Sequence, residues 1–303
     1  MGSPLVSIII PTYNRSKLLM ECLQSILSQT YLNFEVLILD DGSTDDTEIK
    51  VKGLDKRIVY HKLNKIGNLS LLRNYGVKHS EGGYIAFCDD DDLWFPEKLN
   101  EQLNYSDNYN IICTNAQLID NKGKSRNEIY CKDFYRNTQL STIHLLLRNY
   151  VVTSTVLIKK EILSENPFDM LRYKSTAEDY ELWLRLSLNN PIYFINRELV
   201  KYRIHSNLTY QHDNYPLIFT NSIDILNKYK KMVPGNCRKY ADLGIFRFRK
   251  EYIKLNLHRK KYFIVLKELI CISSDHVSPP SEVITKRPKL SVVLTFFSIV
   301  TSW

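Results

Sequence analysis

The chain has 303 residues, 44% of them hydrophobic and 24% charged, which is the composition of an ordinary folded protein with a sizeable core. Its six cysteines lie far apart with neither zinc-ligand spacing nor a disulfide framework, which predicts free thiols in a reducing compartment. The net charge of +8 is uneven, because aspartates cluster in the first half whereas nearly every charge in residues 228–267 is basic.

Strands and helices alternate through residues 5–88. Continuous β-branched runs such as "LVSIIIP" are typical of strands buried on both faces, and leucines at helical spacing predict a helix after the first strand. The predicted strands are Leu5–Pro11, Phe34–Asp40, Arg57–His61 and Tyr84–Cys88. This order predicts an α/β protein with a doubly wound, mostly parallel sheet flanked by helices.

Three of these strands end in polar clusters, "PTYNR", "DDGS" and "DDDD". Ligands bind at the carboxyl ends of parallel strands, so we expect the three clusters to converge. Asp89 and Asp91 alternate along the chain and therefore point the same way, which suits Mg²⁺ or Mn²⁺. The alternative is a solvated acidic loop or a cap for the next helix. Residues 40–43 fit either a contact to a base or ribose or a simple turn.

The rest of the chain has a more mixed pattern. Residues 111–120 and 154–160 are predicted strands, "EDYELWLRLSLN" is a predicted helix, and residues 192–205 are one or two strands. From residue 213 onward the pattern is helical and basic. Neither GxGxxG nor GxxxxGK[ST] occurs, which disfavours a Rossmann oxidoreductase and a P-loop enzyme.

The segments "VSIIIPTYNR", "LILDDGSTDDT" and "LLRNYGVKHSEGGYIAFCDDDDLWFPEKL" together resemble the family 2 glycosyltransferases, which have the GT-A fold. The resemblance is strong over residues 1–120, continues in "AEDYELWLRL" and "YRIHSN", and fades after residue 215. It implies a GT-A domain in residues 1–215, with a nucleotide-binding half (1–120) and an acceptor half (121–215). Residues 216–303 are then a helical, basic C-terminal extension.

The resemblance also implies a reaction. An inverting hexosyltransferase that depends on Mn²⁺ or Mg²⁺ would move a sugar from a nucleotide-sugar donor, foremost a UDP-sugar, to an acceptor hydroxyl. The acceptor would be a glycan or a polyprenyl-diphosphate-linked glycan, the product a β-linkage, and the setting the synthesis of a surface polysaccharide such as O-antigen or capsule.

By this resemblance the first half holds the donor. Pro11, Thr12 and Tyr13 match the segment that packs on the nucleotide base, with Tyr13 as the stacking ring. Asp41 matches the acidic residue that contacts the base edge, and Arg73 matches an arginine near the nucleotide.

Asp89 to Asp91 match the DxD-type motif, in which Asp91 ligates the metal that bridges the diphosphate. Asp89 is a second metal candidate and Asp90 a nucleotide-binding candidate. Asp90 stands where the family has a small residue, so the division of labour among these carboxylates stays open. His205 matches a histidine near the metal or diphosphate, although a lone histidine is more often structural.

Asp179 matches the catalytic base of the family. An inverting transfer needs a carboxylate that takes the proton from the attacking hydroxyl. Glu178 is either a hydroxyl binder or, with Ser175, part of a capping box. Trp94 and Trp183 are candidates for the wall of the acceptor pocket, with ordinary packed aromatics as the alternative.

Basic and aromatic residues alternate in residues 246–263, as in an amphipathic helix on an anionic membrane surface. A solvated helix face and nucleic-acid binding are the alternatives, and we expect membrane contact without a nucleic-acid partner. Since the N-terminus lacks a basic leader, the predicted location is cytoplasmic and peripheral on the inner face of the cytoplasmic membrane.

Two rival functions are a non-catalytic module that binds nucleotide-sugar or polysaccharide, and a nucleotidyltransferase. The combination of Asp41, Asp91 and Asp179 argues against the first. The segment "PTYNRSK" lacks the glycines of the phosphate loop that a nucleotidyltransferase needs, which disfavours the second.

Overall fold

The computed structural model of the chain describes residues 2–173, 176–204 and 215–274. Its first part confirms the predicted alternation of strands and helices, and all four predicted strands are present. In chain order the elements are β1 (Val6–Thr12), α1 (Ser16–Leu27), β2 (Phe34–Asp40), α2 (Thr47–Val51), β3 (Ile58–Lys62), α3 (Leu69–His79) and β4 (Tyr84–Phe87).

The second part of the described chain has several short strands and a helical end. It contains β5 (Leu93–Trp94), α4 (Lys98–Leu103), β6 (Ile111–Ile119), β7 (Ser125–Ile129), β8 (Thr138–Leu140), α5 (Thr142–Leu147), β9 (Leu157–Lys159), α6 (Lys160–Glu165), α7 (Glu178–Leu186), β10 (Ile192–Arg203), α8 (Tyr215–Lys230), α9 (Arg238–His258) and α10 (Tyr262–Ser274). The strand predicted at 154–160 is shortened to β9, because Thr153–Thr155 forms a 3₁₀ turn.

The described strands form one ten-stranded sheet in the order β3-β2-β1-β4-β9-β6-β10-β5, with β7 beside β6 and β8 beside β10. Parallel pairing holds through β3-β2-β1-β4 and between β6 and β10. The remaining pairs are antiparallel, with β9 inserted between β4 and β6. The predicted α/β architecture is confirmed, and its parallel character belongs mainly to the first half.

Helices cover the sheet on both faces, as the unbroken burial of β1 requires. Ile8 and Ile10 pack with Leu19 and Ile26 of α1 in one hydrophobic cluster, whereas Ile9 belongs to the cluster on the opposite face. Because both faces of β1 are buried, the polar residues that follow it can contact solvent only at the edge of the sheet where the strand ends.

The C-terminal helices share the core of the α/β part. Leu226 of α8 lies in the same cluster as Trp183 of α7. In α9, Gly244 lies so close to the carbonyl oxygen of Leu146 that any side chain there would collide with it. The predicted helical character of the extension is confirmed for residues 215–274. Among the helices in the described ranges, none combines the length and apolar character needed to cross a bilayer.

A lysine of α4 is buried beside Trp94. The Lys98 side chain has no exposed surface; its Nζ donates to Gln102 Oε1 (2.8 Å) and lies 3.8 Å from the centroid of the Trp94 ring. Burial lowers the pKa of Lys98 to about 7. The same lysine in the unfolded chain titrates near pH ~10.4. Between these two values the unfolded state binds more protons, so the contribution of Lys98 to stability rises with pH.

Replacing Lys98 by Met should therefore stabilise the protein most near neutral pH and progressively less at alkaline pH. The difference in free energy of unfolding between variant and wild type should fall by up to about 1.4 kcal/mol per pH unit. Urea denaturation followed by circular dichroism at several pH values measures this difference. Lys122→Met, at an exposed lysine, is the control and should show no such trend. A constant difference at Lys98 would contradict a neutral buried amine.

Candidate active site

A cavity of about 380 Å³ opens at the carboxyl ends of β1, β2 and β4. The three predicted polar clusters converge there, as expected for parallel strands that end at one edge of a sheet. Its lining consists of Pro11, Thr12, Tyr13, Arg15, Asp41, Gly67, Asn68, Leu69, Leu72, Asp89, Asp90 and Asp91. All the nucleotide-binding candidates except Arg73 therefore face one space, together with two of the metal candidates.

Arg73 of α3 is buried and has two carboxylate partners. Its Nη2 donates to Asp89 Oδ1 (2.9 Å), and its Nη1 donates to Glu178 Oε1 (2.6 Å). Burial raises the pKa of Glu178 to about 7, although the charge of Arg73 opposes this shift. The guanidinium thus joins the loop of four aspartates after β4 (residues 89–92, the acidic loop) to the first turn of α7.

Asp90 and Asp91 share one arginine. Arg15 Nη1 lies 3.0 Å from Asp90 Oδ1 and 3.1 Å from Asp91 Oδ2. Thr12 Oγ1 donates to the other oxygen of Asp90 at 2.7 Å. Burial raises the pKa of Asp90 to about 6, against the opposing charge of Arg15. Within the described ranges no three His, Cys, Asp or Glu side chains form a ready metal-ligand group, and the carboxylates here face arginines instead.

Asp92, the last of the four aspartates, is fully buried and anchors the acidic loop to the second part of the chain. Its Oδ1 accepts from the backbone N–H of Arg203 (2.9 Å), and its Oδ2 accepts from Ser154 Oγ (2.5 Å). Burial raises the pKa of Asp92 well above its usual range. The Arg203 side chain donates to the carbonyl oxygen of Asp91 at 2.7 Å and pairs with Glu21. Asp92 therefore holds the loop in place and does not line the cavity.

The Tyr13 side of the cavity is covered by the loop that precedes α3. Asp41 accepts from the backbone N–H groups of Ile66 (2.5 Å) and Gly67 (2.9 Å). Lys65 Nζ lies 3.3 Å from Asp41 Oδ2 and 2.8 Å from the centroid of the Tyr13 ring. Both residues that are predicted to contact a base are therefore engaged by residues 65–67.

Asp179 lies in the first turn of α7 and is partly exposed. Its Oδ2 accepts from Thr153 Oγ1 (3.0 Å), and its Oδ1 accepts from the backbone N–H of Tyr180 (2.7 Å). The helix begins after Ala177, whose backbone is left-handed with a φ of 70°. Two consecutive carboxylates consequently have different surroundings: Glu178 meets the buried arginine, whereas Asp179 keeps access to solvent.

The two tryptophans that were candidates for the acceptor pocket are core residues. Trp94 is 3% exposed, and its indole N–H donates to the carbonyl oxygen of Ser154. Trp183 is fully buried near the rings of Phe87 and Phe168. This placement corrects the expectation of a pocket wall, and its physical reason is the large apolar area that an indole removes from water in the core.

Several polar residues shape the site although sequence reasoning missed them: Arg15, Thr153, Ser154 and Arg203. The two arginines stand inside quoted motifs, "PTYNR" and "YRIH", but their carboxylate partners lie far away along the chain. One signal could have identified Arg15: it follows β1 closely, and β1 ends at the same sheet edge as the strand that precedes the acidic cluster. His205 and Ser175, both named in the sequence analysis, lie outside the described residues.

Comparison with known proteins gives this arrangement a family. The sequence model described as "Glycosyl transferase family 2" matches residues 7–165, slightly more than half of the chain. The chain belongs to glycosyltransferase family 2. The match runs from β1 to α6 and includes every residue that lines the cavity.

Two relatives of this family 2 glycosyltransferase illustrate its range. The uncharacterized glycosyltransferase RT0329 of Rickettsia typhi is 32% identical over 267 residues, which cover 83% of this chain and 82% of the relative. WfgD of Escherichia coli is 33% identical over 210 residues, which cover 67% of this chain and 79% of the relative. WfgD is named a UDP-Glc:alpha-D-GlcNAc-diphosphoundecaprenol beta-1,3-glucosyltransferase.

Solved structures agree on the fold. The mannosyltransferase PcManGT of Pyrobaculum calidifontis, in complex with GDP-Man and Mn²⁺, superposes with a TM-score of 0.60 at 15% identity. The match covers 100% of this chain and 81% of that chain. At this identity the likeness concerns the fold alone, and it confirms the GT-A architecture.

Replacing Arg73 by Gln should destabilise the protein by about 3–5 kcal/mol, because the change leaves Glu178 buried without its partner. Chemical denaturation of variant and wild type at pH 8 measures the loss. Arg126→Gln, at an exposed arginine 3.9 Å from Glu128, should cost less than about 1 kcal/mol and serves as the control.

The double variant Arg73→Gln/Glu178→Gln tests the cause of that loss. Because it removes the orphaned carboxylate as well, it should recover part of the stability. A single variant as stable as the control would show that the pair contributes nothing.

Proposed function

We propose that this protein transfers a sugar from a UDP-sugar to a hydroxyl of a polyprenyl-diphosphate-linked glycan, with inversion and hence a β-linkage. Family membership provides the transferase class. The donor and acceptor classes are extended from the printed activity of the E. coli relative. The product would belong to a surface polysaccharide such as O-antigen or capsule.

The Arg73 bridge is the observation that carries this proposal. It ties Asp89, which lines the cavity, to Glu178, whose neighbour Asp179 is the proposed catalytic base. Asp179 uses one hydrogen bond from Thr153 and one from a backbone N–H, while an ionised carboxylate has about four acceptor positions. It therefore retains capacity to accept the proton of an attacking hydroxyl next to the donor cavity.

The donor would occupy the cavity at the strand ends. Tyr13 is 42% exposed and offers a ring face for stacking once Lys65 moves aside. In this proposal Pro11 and Thr12 form the adjoining wall and Asp41 accepts from the base edge. Asp90 would contact the ribose or the diphosphate end of the donor.

A divalent cation, Mn²⁺ or Mg²⁺, fits the donor set of the acidic loop. Hard carboxylate oxygens are the ligands such ions prefer, and a guanidinium group already stands as a cation between two of them. Asp91 and Asp89 would hold the ion, with His205 as a further candidate outside the described residues. When bound, the cation would neutralise charge on the leaving diphosphate. The mannosyltransferase of the same fold was solved with Mn²⁺.

The C-terminal extension would hold the enzyme at the cytoplasmic face of the membrane. We assign transfer to residues 1–215 and membrane contact to residues 216–303. Support comes from α10, where Phe263 is 82% exposed, Leu266 47% and Ile270 58%. These apolar residues lie on one helical stripe, and exposed basic neighbours suit anionic lipid headgroups. The exposed basic neighbours are Lys260, Lys261 and Lys267.

Incubation of the full chain with individual UDP-, GDP- and dTDP-sugars, with and without Mn²⁺, tests the reaction class. A transferase releases free nucleoside diphosphate in a metal-dependent manner, fastest with a polyprenyl-diphosphate-linked GlcNAc acceptor. Pyrophosphate release would indicate a nucleotidyltransferase instead. Donor binding without any release would indicate a non-catalytic module.

Replacing Asp179 by Asn should lower kcat by about 100- to 10,000-fold, since the amide keeps the hydrogen bond from Thr153 but cannot take a proton. The dissociation constant for UDP, measured by calorimetry, should stay at the wild-type value. Asp107→Asn, at an exposed aspartate, is the matched control and should leave both quantities unchanged. Turnover of the Asp179 variant near the wild-type rate would place the base elsewhere.

Replacing Phe263 and Leu266 together by Ser should lower the partition of the full chain onto anionic phospholipid vesicles at least about tenfold. Each of these side chains contributes roughly 1.5–3 kcal/mol when it leaves water. Vesicle sedimentation at fixed ionic strength measures the bound fraction. The control is Leu32→Ser, at a leucine that is 73% exposed in the α/β part. Equal binding of double variant and wild type would exclude α10 as the contact surface.

A further inference from the structure

The Arg15 guanidinium, from the segment just before α1, lies between two carboxylates of the acidic loop. A single nitrogen, Nη1, lies 3.0 Å from Asp90 Oδ1 and 3.1 Å from Asp91 Oδ2. It bridges two carboxylates of adjacent residues, which would otherwise repel each other in a poorly solvated place. The two aspartate side chains are 6% and 14% exposed, so water screens them little.

The two arginines of the site differ in how firmly they are held. The Arg73 side chain is 3% exposed and pairs with Asp89 and Glu178, so it cannot leave without breaking the buried pair with Glu178. The Arg15 side chain is 48% exposed, and only its Nη1 is used in the described contacts. Loss of a half-exposed ion pair costs little, which makes Arg15 the removable cation of the pair.

The proposed divalent ion and Arg15 would share one carboxylate, that of Asp91. Asp90 already accepts from Thr12 Oγ1 and Arg15 through its two oxygens, whereas Asp91 Oδ2 is engaged by Arg15. A cation that binds either oxygen of Asp91 therefore comes close to the guanidinium at Oδ2, and two positive charges at one carboxylate repel each other.

We infer that Arg15 is an internal counter-cation that holds the charge of Asp90 and Asp91 before metal binds and is displaced from Asp91 by the metal. The inference rests on the metal site of the proposed function. In this role Arg15 is a positioning residue: it offsets the repulsion between Asp90 and Asp91 in the metal-free protein, and it weakens metal binding in the absence of the nucleotide-sugar. Once released, its N–H groups are available to a phosphate, which binds guanidinium readily.

The test is Mn²⁺ binding to the full chain without any nucleotide, measured by electron paramagnetic resonance of the free ion. Arg15→Gln removes the competing charge and should tighten Mn²⁺ binding about tenfold, the size expected for loss of one nearby repulsion. Arg15→Lys keeps the charge and should stay near the wild-type affinity. Lys17→Gln changes net charge equally at an exposed position of α1 and is the matched control.

Thermal unfolding provides a second readout that does not depend on activity. Metal-free Arg15→Gln should melt below wild type, and saturating Mn²⁺ should raise its Tm more than it raises that of wild type. Unchanged or weaker Mn²⁺ affinity in Arg15→Gln would overturn the inference, since a residue that merely shapes the ligands would weaken binding when removed.

The two proposals can fail separately. If wild type releases nucleoside diphosphate but all variants bind Mn²⁺ equally well, the proposed role of Arg15 is wrong and the proposed transferase reaction still holds. Tighter Mn²⁺ binding in Arg15→Gln without any nucleoside diphosphate release would support the counter-cation and reject the reaction.

Discussion

Repulsion between neighbouring carboxylates is the constraint on which the rest of the cleft depends. Four consecutive aspartates can share one loop only if each meets a counter-charge or a hydrogen-bond donor. The chain supplies these from distant places: Arg73 on α3, Arg15 before α1, and Ser154 and Arg203 from the second part. Satisfying the loop therefore connects four separate parts of the chain, and the site and the fold stabilise each other.

The two halves of the sheet contribute differently to this arrangement. The parallel half brings the ends of β1, β2 and β4 to one edge and so creates the cavity. The mixed half contacts the acidic loop at Asp92, through the 3₁₀ turn before β9 and the end of β10. Although the cavity and the two arginines that pair with the loop lie in the first half, the second half supplies both hydrogen-bond donors to Asp92, so the two halves complete the loop together.

Much of the fold and part of the site could be predicted from the sequence, because these features follow local periodicity. The unbroken apolar run of β1 predicts burial on both faces, and the convergence of three polar strand ends follows from parallel topology. The helical pattern of "EDYELWLRLSLN" likewise predicts a helix, which the structure confirms as α7.

The remaining features depend on distances that no local pattern contains. Arg15 and Asp90 are 75 residues apart, so their ion pair becomes visible only in three dimensions. Lys98 is another case, since a lysine in a helix is expected in solvent and its burial depends on Trp94 and Gln102 from its surroundings.

The loop over Tyr13 has a thermodynamic consequence for any ligand that needs Asp41. That carboxylate already holds the backbone of Ile66 and Gly67 and pairs with Lys65. A ligand N–H or O–H group that competes for its oxygens loosens residues 65–67, and an ordered loop in turn lowers the apparent affinity of that ligand. Ligand binding in the cavity and order of the loop therefore oppose each other: a change that orders residues 65–67 lowers ligand affinity, and bound ligand lowers the order of the loop.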